Sequence, residues 1–261
     1  MQIVMVYSEA GGVSKTTTAV SLAMTAAEGA GDAVGRRVVL IDLDPRSAST
    51  KWLRAQPSGE GLHVGAILGN AEPDGWAEDL AVPSAWHENL RIIPAARDLS
   101  NAESARDDFA ELRLSRALDG LAADVVVIDC ANRQGGPLTL NALNAADTVV
   151  YAATASDSGV DGVTGAQRSV RRFIEARGRM GAPVNLTESG ASITRDGTGF
   201  MSYAETDAIE QIREATTVIE PIVPHLSIVS EVRMAGEWYG RYRKGAPIRE
   251  AYGEIMRKVI R

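Results

Sequence analysis

The sequence predicts an α/β fold, a mostly parallel sheet with helices on both faces, in one domain over residues 1–261. Three observations carry this expectation. Short β-branched runs alternate with longer amphipathic stretches, the pattern of a parallel sheet covered on both sides. The glycine-rich and acidic motifs fall directly after strand-like runs, where such sheets bind ligands. A chain of 261 residues, 45% hydrophobic and 23% charged, is long enough for a full core within a single domain.

The elements follow in order. "QIVMVY" (2–7) reads as a buried strand, and Lys15–Glu28 as an alanine-rich helix with apolar residues at helical spacing. "RVVLIDLD" (37–44), "NLRIIPA" (89–95), "DVVVIDC" (124–130) and "TVVYAAT" (148–154) are strand-like runs. Between them, 98–121, 137–146 and 158–178 read as helices. Further strands are expected within 183–194 and 222–229. The stretches 27–37 and 56–61 read as loops, and no internal repeat is present.

Bulk properties exclude several classes. The single cysteine, Cys130, rules out an intramolecular disulfide and suits a reducing compartment. No apolar run approaches the roughly 20 residues needed to cross a bilayer, and no secretory signal is legible, so a cytoplasmic protein is expected. His63, His87 and His225 are scattered, with no cysteine at ligand spacing, and no zinc site or Ser/His/Asp arrangement is read. The net charge is −7, but unevenly spread: residues 1–160 carry 12 basic and 21 acidic side chains, residues 161–261 carry 15 and 13. A polyanion would therefore meet the C-terminal part.

Three motifs carry chemistry. "GGVSKTTT" (11–18) follows a strand and opens a helix. Gly11, Gly12, Val13, Ser14 and Thr17 would turn backbone N–H groups toward a phosphate chain at a helix N-terminus. Lys15 would reach the β- and γ-phosphates and Thr16 would ligate Mg²⁺. In "LIDLDPRS" (40–47), Asp42 and Asp44 end a strand, one able to face a metal and the other an attacking water. In "VVVIDCA" (125–131), Asp129 follows four apolar residues, as in a Walker B strand.

Taken together, "AGGVSKTTT" (10–18), "IDLDPR" (41–46) and "IDCAN" (128–132) resemble the ParA/MinD family of deviant Walker A ATPases, and most closely the short ParA partition proteins. "LTLNALNAADTVV" (138–150), "VPHLSIVSE" (223–231) and "GAPIREAY" (245–252) extend the similarity over nearly the whole chain, starting at the first strand with no N-terminal DNA-reading extension. The resemblance implies Mg²⁺-dependent ATP hydrolysis with Lys15 and Asp44 as catalytic groups, Asp42 and Asp129 supporting the metal with Thr16, and Pro224 near the adenine. It further implies an ATP-closed homodimer, non-specific binding to double-stranded DNA, a ParB-type centromere-binding partner, nucleoid association in the ATP state, and segregation of plasmid or phage DNA. Higher assemblies stay open. A MinD-like membrane role is disfavoured, because "EIMRKVIR" is short for an amphipathic anchor.

The departures are as informative. The family's signature lysine, which crosses to the partner's nucleotide, is Ala10 here. Its loss removes a charge-assisted phosphate contact. Arg46 and Arg133 are candidate replacements. Ser14 stands where a glycine is usual, Glu9 places a carboxylate at the loop's start, and the prolines usual after Asp129 are absent, which loosens switch II. Two outcomes remain: weak hydrolysis, or a nucleotide-holding switch with little or none.

For DNA, Arg168, Arg171 and Arg172 fall at i, i+3, i+4 on one helix face, either a phosphate-contacting stripe or a solvated face. "EWYGRYRKGAPIR" (237–249), which contains Arg241, Arg243 and Lys244, lies in a region about nine residues longer than the family's spacing. It reads either as a surface insertion for DNA or partner, or as a longer loop packed on the core.

Overall fold

The computed structural model describes residues 1–104 and 107–261. Among these, eight strands form one sheet: β1 (Gln2–Tyr7), β2 (Val38–Leu43), β3 (Val82–Pro83), β4 (Leu90–Ile93), β5 (Val125–Cys130), β6 (Thr148–Thr154), β7 (Thr187–Asp196) and β8 (Val223–His225). Their order is β3-β4-β2-β5-β1-β6-β7-β8, parallel except for the short edge strand β3. The helices are α1 (Lys15–Glu28), α2 (Ala48–Trp52), α3 (Val64–Gly69), α4 (Trp76–Leu80), α5 (Arg113–Ala117), α6 (Gly136–Ala145), α7 (Asp157–Arg179), α8 (Tyr203–Ala215), α9 (Ser227–Ala235) and α10 (Ala246–Val259).

The central strands are apolar throughout because both their faces are covered. In β1, Val4 and Val6 enter the core shared with α1 and α10, while Met5 and Tyr7 enter the core shared with α6 and α7. The same alternation runs through β5, with Val125 and Val127 on one side and Val126 and Ile128 on the other. The chain order puts β1 between β5 and β6, so the loop after β1 lies at the middle of the sheet's carboxyl edge. The β2–β5 register pairs Asp42 with Asp129, and β1–β5 pairs Val6 with Asp129. That register brings the acidic motifs beside the loop.

The expected helix over 98–121 is replaced by 3₁₀ turns at Arg97–Ser104 and Ala110–Leu112 and the short α5. Residues 105 and 106 of that expectation lie outside the described residues. Among the described residues of 98–112 only Leu99 and Ala110 are buried, too widely spaced for a helical stripe, and a helical rhythm of buried residues starts only at Leu114, Ala117 and Leu118. Buried Arg113 anchors the turn, donating to the Leu68 carbonyl (2.7 Å) and to Asp107 (2.6 Å).

The segment 237–249 resolves into two parts. Trp238 and Tyr239 are fully buried, their ring centroids 4.0 Å apart, and pack with Trp52 and Trp86. Arg241, Arg243 and Lys244 are exposed. The aromatic half is thus a core anchor and not a surface insertion; only its basic half faces solvent. In α10, Ile248, Tyr252, Ile255 and Val259 are buried in the α1 core, so its apolar face is already covered.

Candidate functional site

The loop after β1 is built for an anion. Gly12 (φ 75°) and Ser14 (φ 65°) both adopt left-handed backbone. That conformation is free for glycine and costs a serine roughly 1–2 kcal/mol. It explains why glycine is usual at position 14, and why the reason is backbone shape more than room for phosphate. The Thr194 hydroxyl of β7 lies 2.9 Å from Ser14 Oγ and holds the serine in place. α1 begins with no side chain capping its first N–H groups and no acidic residue in its first turn. Those donors and the positive end of the helix dipole are left for a ligand. Lys15 is 8% exposed, and its ammonium donates to the Ala10 carbonyl at 2.5 Å. Burial holds its pKa below the usual lysine value, against the pull of Asp129 and Asp44.

The metal side is equally ordered. Asp129 is buried; Ser49 Oγ donates to its Oδ2 at 2.6 Å, while Oδ1 has no hydrogen-bond partner. Burial raises its pKa, and the Ser49 and Thr16 hydroxyls ease the rise. An unpartnered buried carboxylate oxygen near Thr16 fits Mg²⁺, which takes few protein ligands and completes its shell with phosphates and water. Among the described residues no group of three or more His, Cys, Asp or Glu side chains converges as a closed metal cage.

Asp42 is placed differently. Its Oδ2 accepts from the Thr50 N–H (2.8 Å) and hydroxyl (2.7 Å), and its Oδ1 accepts from the Asp44 N–H (3.2 Å). Burial, then the neighbouring Asp129 charge, raises its pKa. These bonds make Asp42 an organiser of the loop that carries Asp44, with its oxygens turned to protein donors. β2 ends at Leu43, so Asp44 is freed from the strand alternation and faces the cleft.

The cleft itself is about 380 Å³. Its walls bring together Gly11 to Thr17, Asp44 and Arg46, and add Asn132, His225, Ser230 and Arg233. Pro224 is not among the lining residues; its neighbour His225 is, and His225 also borders a second hollow of about 540 Å³ at the ends of β6, β7 and β8. Of the two candidate replacement cations, Arg46 lines the cleft and Arg133 does not. Glu9 does not line the cleft. It accepts from Ser169 of α7 (2.5 Å) and from Tyr7 (3.2 Å). Sequence reasoning missed Arg233, Ser230 and the organising role of α2. Nothing in a five-residue helix or in "SEVRMAG" signals them, because they reach the cleft only through the tertiary fold.

The basic residues divide. Arg168, Arg171 and Arg172 are exposed on α7, whose apolar side packs into the α6 core. Arg241, Arg243 and Lys244 belong to the segment anchored in the α1 core, across the sheet. The two groups do not form one patch.

Comparison with known proteins agrees with this geometry. Residues 1–180 match the family described as "AAA domain". The chain is 33% identical over 174 residues to the sporulation initiation inhibitor protein Soj of Bacillus subtilis, spanning 65% of each chain. It is 28% identical over 254 residues to the chromosome-partitioning ATPase Soj of Thermus thermophilus, covering 97% of this chain and 93% of that one. The fold superposes on apo McdA of Cyanothece with a TM-score of 0.82 at 22% identity, covering 98% of each chain. With an intact P-loop lysine, a Walker B aspartate and this sheet order, the chain belongs to the ParA/MinD family of P-loop ATPases.

Proposed function

We propose that this chain is a Mg²⁺-dependent partition ATPase that dimerises on ATP, binds double-stranded DNA without sequence preference, and is stimulated by a ParB-type partner. The observation that carries the reading is the convergence of Lys15, Thr16 and Asp44 in one cleft, with the buried, unpartnered Asp129 oxygen within electrostatic reach of all three. Lys15 leaves the Ala10 carbonyl to contact the β- and γ-phosphates, and the uncapped N–H groups of α1 hold the phosphate chain. Asp44, held by the Arg46 N–H at 2.9 Å, orients the attacking water. Thr16 and Asp129 would hold Mg²⁺, which would supply charge neutralisation at the phosphates. The base lies beyond His225, in the adjoining hollow at the ends of β6 to β8. DNA meets the α7 arginines.

The test is phosphate release with and without DNA and a cognate ParB-type protein. We expect slow basal release, raised at least several-fold when both are present. Ala10→Lys should raise it further by restoring the missing charge across the dimer. Tight ATP binding with no release under any condition would instead identify a nucleotide-holding switch.

A further inference from the structure

One cation at the cleft comes from outside every recognised motif. Arg233 sits at the end of α9 and lines the cleft together with Val229 and Ser230 of the same helix. α9 leaves β8 at the His225 end of the cleft and packs against α2 at its other end. Ala48, the first residue of α2, also lines the cleft, one turn before Trp52. The Arg233 guanidinium carbon lies 5.8 Å from the Trp52 ring centroid.

That ring is a fixed platform. Trp52 is fully buried, and its indole N–H donates to the Glu237 carbonyl at 2.9 Å. Trp86 packs edge-on at 5.8 Å and Tyr239 at 6.3 Å. A guanidinium placed over an indole by a cation–π contact is held in position while its N–H donors stay available. Among the described residues no ion pair or hydrogen bond engages that fork, and the side chain is exposed at the mouth of the cleft. A planar fork on the wall of a cleft built from a glycine-rich loop and a helix N-terminus is suited to phosphate oxygens. The same α2 carries Ser49 to Asp129 and Thr50 to Asp42, so the platform belongs to the element that positions both acidic motifs.

We propose that Arg233, held over the Trp52 ring, is a phosphate ligand of the bound nucleotide. It supplies within one subunit a charge that Ala10 cannot lend to a partner. The proposal rests on the nucleotide reading given above. It predicts that a lone subunit binds ATP with less dependence on dimer closure than a chain carrying the signature lysine.

The test is displacement of a fluorescent ATP analogue by ATP, by inorganic tripolyphosphate and by adenosine. Wild type, Arg233→Ala, Arg233→Lys and Arg54→Ala are compared. Arg54 is the control for general electrostatics: it is exposed, its side chain lies against Gly236, and it does not line the cleft. We expect Arg233→Ala to weaken ATP and tripolyphosphate about tenfold, the loss typical of a charge-assisted hydrogen bond, with adenosine unchanged within about twofold. Arg233→Lys should recover part of the loss, and Arg54→Ala should behave as wild type. An Arg233→Ala chain that binds ATP normally, or that loses adenosine as strongly as ATP, overturns the proposal. A wild-type chain that retains no analogue at all sinks the nucleotide reading, and this proposal with it.

Discussion

At the scale of single residues, the site is governed by where charge is buried. Asp42 and Asp129 are register partners on adjacent strands, and burial pushes both carboxyl groups toward the protonated form. A carboxyl whose folded pKa is raised makes the folded chain bind more protons than the unfolded one. Its cost to stability is therefore absent below the unfolded value of about 4, and grows as pH rises toward neutrality. Asp129→Asn should stabilise the nucleotide-free protein by about 2 kcal/mol at pH 8, with the gain shrinking toward pH 4. Urea denaturation at both pH values measures this. The same variant should lose the Mg²⁺ dependence of nucleotide affinity. Equal gains at the two pH values would show that Asp129 is not the titrating group.

At the scale of elements, the small face of α7 decides where the phosphate loop runs. A Cβ on Gly162 would lie 2.4 Å from Ser8 Oγ and 2.8 Å from the Ala10 Cβ, and one on Gly165 would lie 2.4 Å from the Glu9 carboxylate. The helix is thus packed directly on Ser8, Glu9 and Ala10. Ser169, one turn on from Gly165, binds Glu9. Gly162→Ala should cost about 2 kcal/mol through overpacking, outweighing the gain of roughly 1 kcal/mol in helix propensity. It should also weaken ATP binding, because the displaced segment leads into Gly11 and Gly12. Chemical denaturation and nucleotide titration check both effects. Adding Ala10→Gly should recover part of each, since it removes one of the clashing atoms.

At the scale of the molecule, the sheet separates the two basic groups, so they can be tested independently. Replacing Arg168, Arg171 and Arg172 together by Ala should weaken binding to arbitrary duplex DNA. It should also reduce the slope of log affinity against log salt by about 2–3, close to one per lost phosphate contact. Unchanged salt dependence would remove α7 from the DNA surface. The same measurement on Arg241, Arg243 and Lys244 tests whether the opposite layer contributes at all.

The sequence alone determined the α/β class, the central strands, the long helices α1 and α7, and the positions of the glycine-rich loop and both acidic motifs. These are local signals: continuous apolar runs, helical spacing, and glycines and aspartates at strand ends. Tertiary structure alone decided the rest. The β2–β5 register coupled Asp42 to Asp129 and left only one of them with an unpartnered oxygen. The packing of α7 engaged Glu9 outside the cleft. The short helix α2, too brief to show a periodicity, became the tie between both aspartates and the tryptophan cluster. The sequence left 237–249 open between a surface insertion and a loop packed on the core; the tertiary structure buries Trp238 and Tyr239 against Trp86 and Trp52. Arg233 reached the cleft from α9, which follows the edge strand β8 yet packs against α2. The physical reason is the same throughout. Backbone propensity and periodicity are written in neighbouring residues, whereas register, burial and the convergence of charges depend on segments far apart in the chain.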